Sequence, residues 1–174
     1  AVPFPILSIE EMLCFVKQNQ HYQVQYNNNL VFLREEKDYL SKDMAKFLNI
    51  PPSVYSEWEN NKLSISTKRL YELGEFFNVN IDYLVGLSSK RINLKTNKVL
   101  DQKETSLRLK EVRENMNLSM RELAQKLNTS SSAISNYENN KNLILSSFLI
   151  ELSKISNYSI DYILGRSNIK FIQK

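Results

Sequence analysis

Cysteine is all but missing from this 174-residue chain: Cys14 stands alone. No disulfide can close within it, which points to a reducing, cytoplasmic setting and a buried structural thiol. His21 is the only histidine. A His/Cys metal site needs several such ligands, and a histidine-based triad needs partners close by, so neither is expected. There is no G-x-G-x-x-G and no P-loop. The expectation is a protein that is not an enzyme and has no metal or cofactor. Glycine (3) and proline (4) are scarce, which favours helices over a turn-rich β fold. No apolar run approaches the ~20 residues that cross a bilayer, so no membrane span is expected. The N-terminus is apolar but has no basic stretch, and Glu10-Glu11 interrupts it, so a secretory signal is not expected either.

What the chain does have is a repeat. Displaced by 79 positions, residues 30–88 lie on 109–167 without a gap. Arg34-Glu35 falls on Arg113-Glu114, Leu48-Asn49 on Leu127-Asn128, Glu59-Asn60-Asn61-Lys62 on Glu138-Asn139-Asn140-Lys141, and Ile81-Asp82-Tyr83 on Ile160-Asp161-Tyr162. More than a third of the overlay is identical, so two copies of one fold are expected, each of about five helices. The organisation follows: an extension over 1–28, a first unit over 29–88, a basic linker over 89–103, a second unit over 104–167 and a tail over 168–174. In the extension, Ser8 with Glu11 has capping-box spacing, and Ile9, Met12, Leu13, Phe15 and Val16 form an apolar stripe. One amphipathic helix padding the first unit is expected, with a dimer or partner contact as the alternative.

Charge separates the copies. Residues 30–88 hold seven Lys/Arg and nine Asp/Glu, whereas residues 89–174 hold fifteen and eight. The overall +4 therefore hides a net −2 and a net +7, with −1 on residues 1–29. Attraction for phosphate should lie in the second half.

Within the second copy, Ser119 can cap a helix with Glu122 three residues on, and Leu123, Ala124 and Leu127 then share one face. Asn128-Thr129 breaks the pattern, and Thr129 or Ser130 caps a second helix that buries Ala133, Ile134 and Tyr137. Ser130, Ser131, Ser132, Ser135 and Asn136 are left outward. Alone, such a face reads best as solvated. Short, uncharged groups of this kind can also lie against base edges in a major groove.

Taken together, Leu123-Ala124, the turn Leu127-Asn128-Thr129, the apolar Ile134, the run Tyr137 to Lys141 and the closing Ile160 to Gly165 resemble the phage-repressor-like helix-turn-helix family of Cro and lambda-repressor type. The resemblance covers about two-thirds of the chain, once in each copy. It implies an all-α fold of two tandem five-helix DNA-binding domains, here with an extra N-terminal helix. It implies double-stranded DNA as partner, with Ser131, Ser132, Ser135 and Asn136 of the second copy, and Ser53 of the first, facing bases. Ser119, Ser130, Asn139 and Lys141, with Asn60 and Lys62, would face phosphates. It also implies ion pairs Arg34–Glu59 and Arg113–Glu138.

The family commonly has glutamine just after the first cap, where Ser41 and Met120 stand. Leu40 replaces the capping serine, and the first copy offers Pro52, Ser53 and Glu57 where the second offers Ser131, Ser132 and Asn136. The second copy is therefore the expected reader. The reading is a sequence-specific transcriptional regulator, a repressor. The alternative is a protein-interaction module, antitoxin-like or a phage-encoded inhibitor, using residues 1–88. Pairing of two chains through the first copy or the N-terminal helix stays open.

Overall fold

The computed structural model describes residues 29–174; the expected N-terminal helix and Cys14 lie outside them. Ten helices and no strands are found among the described residues. They are α1 (Leu30–Glu35), α2 (Ser41–Phe47), α3 (Pro52–Glu59), α4 (Thr67–Phe77), α5 (Ile81–Leu84), α6 (Gln102–Asn115), α7 (Met120–Lys126), α8 (Ser131–Glu138), α9 (Ser146–Ser156) and α10 (Ile160–Ile163). None is long and apolar enough to cross a membrane. The fold is all-α, in two sets of five.

Each set closes over its own core. Leu30, Leu33, Met44, Tyr55, Leu70 and Leu73 fill the first, and Leu109, Val112, Leu127, Ile134, Leu149 and Leu152 the second. Trp58 and Tyr137, at matching places, are both buried. The turns between α2 and α3 and between α7 and α8 pass through Asn49 (φ 52°) and Asn128 (φ 50°). Asparagine tolerates this left-handed conformation better than other side chains, which is why the break in each apolar pattern falls there. Ile134 is buried while Ala133 is only half so.

The entry caps differ as the side chains do. Ser119 Oγ accepts from the Glu122 amide at 3.2 Å, and Glu122 Oε2 accepts from the Ser119 amide at 2.7 Å. In the first unit only half of this box exists: the Leu40 amide donates to Asp43 Oδ2 at 3.0 Å. Leu40 is 55% exposed with an extended backbone (φ −81°, ψ 152°), the cap conformation. Leu40→Ser should therefore stabilise the protein by about 0.5–1 kcal/mol, and Ser119→Ala should cost about 1 kcal/mol, read from urea midpoints.

The repeat extends further in space than in sequence. The linker returns past Val79, with the Ile92 carbonyl accepting from the Asn80 amide at 3.1 Å and the Leu94 amide donating to the Asn78 carbonyl at 3.1 Å. The tail does the same beside Tyr158: the Lys170 carbonyl accepts from Ser159 at 2.8 Å, and Ile172 donates to Asn157 at 3.0 Å. The tail reaches this pairing one residue sooner than the linker, so a gapless overlay misses it.

The two sets pack through α4 against α9 and α5 against α10. At this junction the starts of α5 and α10 are capped crosswise. The Ile81 amide donates to Asp161 Oδ2 at 2.7 Å. The Ile160 amide donates to Asp82 Oδ1 at 2.8 Å, and Ser159 Oγ donates to Asp82 Oδ2 at 2.6 Å. Each aspartate thus satisfies an amide of the other unit that its own helix leaves unpaired. Arg166, its side chain fully buried, pairs with Asp161 and with Glu75 at 2.9 Å, and donates to the Val79 and Leu94 carbonyls at 3.0 and 2.8 Å. Leu87 occupies its place in the first unit.

Burial, and then the charge of Asp161, push the Asp82 carboxyl up to about 7 from its usual 3.8. A folded-state value above the unfolded one means the native state holds that proton more tightly. The associated stability is present at acid pH and is lost as pH rises through about 7. Glu75 and Glu111 are shifted downward, by contacts with Arg166 and Lys170 respectively, and so lose their contribution only at pH below 4.5. From about pH 8 to about pH 6 the protein should gain roughly 1 kcal/mol. Asp82→Asn should flatten that slope, which urea unfolding at the two pH values checks.

Candidate nucleic-acid interface

The side chain of Ser130 caps α8, its Oγ accepting from the Ala133 amide at 3.1 Å. That fixes the start of the helix and turns its first residues, Ser131 and Ser132, fully outward. One and two turns into the helix, Ile134 and Tyr137 anchor the opposite face. Ser135 and Asn136 are half-buried rather than fully outward. After α8 the chain folds back, and the Lys141 and Asn142 amides donate to the Asn136 carbonyl at 2.9 and 3.3 Å, bringing this loop against them. Lys141 itself is exposed at the loop's edge.

The angle at which α8 leaves the body is held from behind. Arg113 Nε and Nη2 donate to Glu138 at 2.6 and 2.8 Å, and Nη1 donates to the Leu118 carbonyl at 2.9 Å. Arg113 and Glu138 are both buried. One guanidinium thereby ties the end of α6, the loop before α7 and the end of α8. In the first unit Arg34 Nε lies 2.5 Å from Glu59 Oε1, with Nη1 on the Tyr39 carbonyl at 2.9 Å. The Glu138 hydrogen bond pushes the already basic Arg113 upward, and Glu59 does the same to Arg34. Both guanidinium groups stay charged. Such pairs fix geometry more surely than they add stability.

Asn139 has a local partner. Its Nδ2 donates to the Ser135 carbonyl at 2.8 Å and lies 3.1 Å from Ser135 Oγ. Asn60 repeats this on the Ser56 carbonyl at 2.8 Å. These amides close the ends of α8 and α3, each also within reach of the serine hydroxyl one turn back. Ser119 and Ser130 use their oxygens as caps, which leaves each hydroxyl proton free to donate.

In α3 the same geometry carries different chemistry. Pro51 and Pro52 begin the helix without any side-chain cap, and Ser53, Ser56 and Glu57 are exposed. Lys62 is exposed after the helix. The start of α4 meets the loop after α8 at the junction, where Thr67 Oγ1 donates to the Ile144 carbonyl at 2.5 Å. The two helix-turn-helix pairs are thus held in one fixed relation.

The helix-turn-helix family model matches residues 32–84 and again 109–163, together more than half of the chain. The chain belongs to the helix-turn-helix family of Cro/C1 type. DNA binding is the activity this membership supports, and both helix-turn-helix units lie within the matched residues. Among solved structures, the clp gene regulator ClgR from Corynebacterium glutamicum aligns with 37% of this chain and 69% of its own, at 20% identity and a TM-score of 0.35. No curated protein sequence matches the chain.

Several contributors to this helix-turn-helix architecture carry no local signal in the sequence. Gln102, at the start of α6, donates through Nε2 to the Asn140 carbonyl at 3.0 Å and pins the loop after α8. Asp82, Asp161 and Arg166 set the relation of the two units. The one pointer to them was the pair of identical Ile-Asp-Tyr runs.

Proposed function

We propose that this protein is a sequence-specific, duplex-DNA-binding transcriptional regulator, acting as a repressor, in which α8 enters the major groove. The observation that carries the reading is the outward Ser131 and Ser132 at the start of α8, beside Asn136, on the half of the chain with net charge +7. Hydroxyl and amide groups can exchange hydrogen bonds with base edges. Lys141, the Asn139 amide and the hydroxyl protons of Ser119 and Ser130 would hold phosphates and set register without reading sequence. Because the crosswise-capped junction holds two helix-turn-helix units in one chain, a single molecule presents the pair that a dimer would. The halves differ, so the site need not be palindromic.

The first unit supports a second reading for itself. Exposed Glu57 stands where Asn136 stands in the second, and Pro51-Pro52 replace hydroxyl donors at the start of α3. A carboxylate repels phosphate, though it can accept from cytosine. The first unit is thus the weaker DNA module, or a surface for a protein partner.

Lys141→Ala tests the phosphate role. It should weaken binding to all duplexes alike and reduce the salt slope of log K by about 1. Titrations at several salt concentrations read both. An unchanged slope removes Lys141 from the phosphate contacts.

A further inference from the structure

The two units are internal controls for one another. Phe32, Leu40 and Phe47 of the first are all more than half exposed, and the matching residues of the second are Glu111, Ser119 and Lys126. The shared fold therefore does not require an apolar residue at these places. Phe47 opens onto a groove of about 930 Å³, formed by the end of α2, the length of α4 and linker residues 95–100. The Phe76 ring packs on Phe47 at 4.3 Å and on Tyr39 at 5.5 Å, and Val99, 89% exposed, lines the linker side. Large apolar side chains gathered in the open mark an interaction surface. Charge is uneven around them. Glu72 pairs with Arg69 at 2.6 Å, and Glu75 is held by Arg166 at 2.9 Å and by Thr96. Lys68, Lys95 and Lys98 are exposed, line the same groove and make no ion pair among the described residues.

We propose that this groove receives an acidic, amphipathic segment of another protein. Its apolar side chains would cover Phe47, Phe76 and Val99, and its carboxylates would meet Lys68, Lys95 and Lys98. Charge complementarity sets the sign of the partner: with Glu72 and Glu75 already engaged, three cations are left to be matched. The aromatic side chains set its class. They pack on one another as a continuous wall instead of standing apart as platforms on which successive bases stack, so a peptide suits them better than a single-stranded nucleic acid. The second unit lacks the Phe47 ring and places Lys154 where Glu75 stands, so the partner would engage one unit only. The assignment rests on the protein-partner reading of the first unit and is independent of base reading by α8.

Random twelve-residue peptides, displayed on phage and selected on the intact chain, test it. Recovered sequences should share apolar residues at helical spacing with Asp or Glu among them. Labelled synthetic copies should bind the wild-type chain in fluorescence anisotropy, more weakly as salt rises. Phe47→Lys, which installs the residue that the second unit already carries, should weaken them about tenfold or more. Lys95→Glu/Lys98→Glu, in the linker outside every described helix, should do the same, and carries the test if Phe47→Lys alters the circular dichroism. Peptides that lack acid, or that bind both variants as well as the wild type, would place the partner surface of the first unit elsewhere and overturn the groove as its site. Recovery of no peptide would overturn the partner reading along with it. Labelled oligo-dT bound in a Phe47-dependent way would give the groove to nucleic acid, and a wild-type dimer that Phe47→Lys dissociates in sedimentation would give it to a second copy; either overturns the proposal.

Discussion

Replacing Arg166 with leucine, the residue at this place in the first unit, should cost about 3–5 kcal/mol of stability. The guanidinium is the only cation touching Asp161 among the described residues, and it also bridges Glu75, the Val79 carbonyl of the first unit and the Leu94 carbonyl of the linker. Without it two buried carboxylates, Asp82 and Asp161, share the junction uncompensated. Gly74 leaves the room Arg166 needs: a Cβ there would sit 2.7 Å from Nη1. The loss should depend on pH. Burial pushes both carboxyls upward, so protonation relieves the unpaired charge, and the deficit at about pH 5 should be smaller than at about pH 8. Adding Asp161→Asn to the leucine variant should restore part of the stability, because the amide oxygen still accepts from Ile81. Urea unfolding of the three variants at both pH values is the measurement. A cost below about 1 kcal/mol would mean that Arg166 is not what holds the units together.

Asn136→Ala should cost about 1–3 kcal/mol of affinity for the preferred duplex and little for unrelated sequence. The side chain is short, lies on the face of α8 that carries Ser132, and belongs to a helix held by the Arg113–Glu138 pair at 2.6 Å. Removing the proposed base contact therefore should not let the helix re-aim. The control is Glu57→Ala, the same change at the matching position of α3. Removing that carboxylate should leave affinity unchanged or raise it, since a negative charge near phosphate is unfavourable. Fluorescence anisotropy against specific and scrambled duplexes separates the two effects.

Much of this was legible in the sequence because the repeat supplied its own control. Helix starts at Ser119 and Ser130, the turns at Asn49 and Asn128, and buried Ile134 and Tyr137 follow from capping and apolar spacing within one unit. What escaped is what joins the units. Asp82 and Asp161 read as acids in the first turn of a short helix, a local preference; their carboxylates instead cap the opposite helix. The tail's return beside Tyr158 was hidden by a single missing residue. Asn60 and Asn139 read only as candidate phosphate contacts, because spacing carries no sign of the bond that each makes to the serine carbonyl one turn back.

The most direct measurement is selection of bound duplexes from a random pool by the intact chain, repeated with Ser132→Ala/Asn136→Ala and with Ser53→Ala/Glu57→Ala. Enrichment of one defined, non-palindromic sequence, lost with the first pair of substitutions and kept with the second, is the expected result. A pool that stays random, or a motif untouched by the changes in α8, would contradict the assignment of the second unit as the reader.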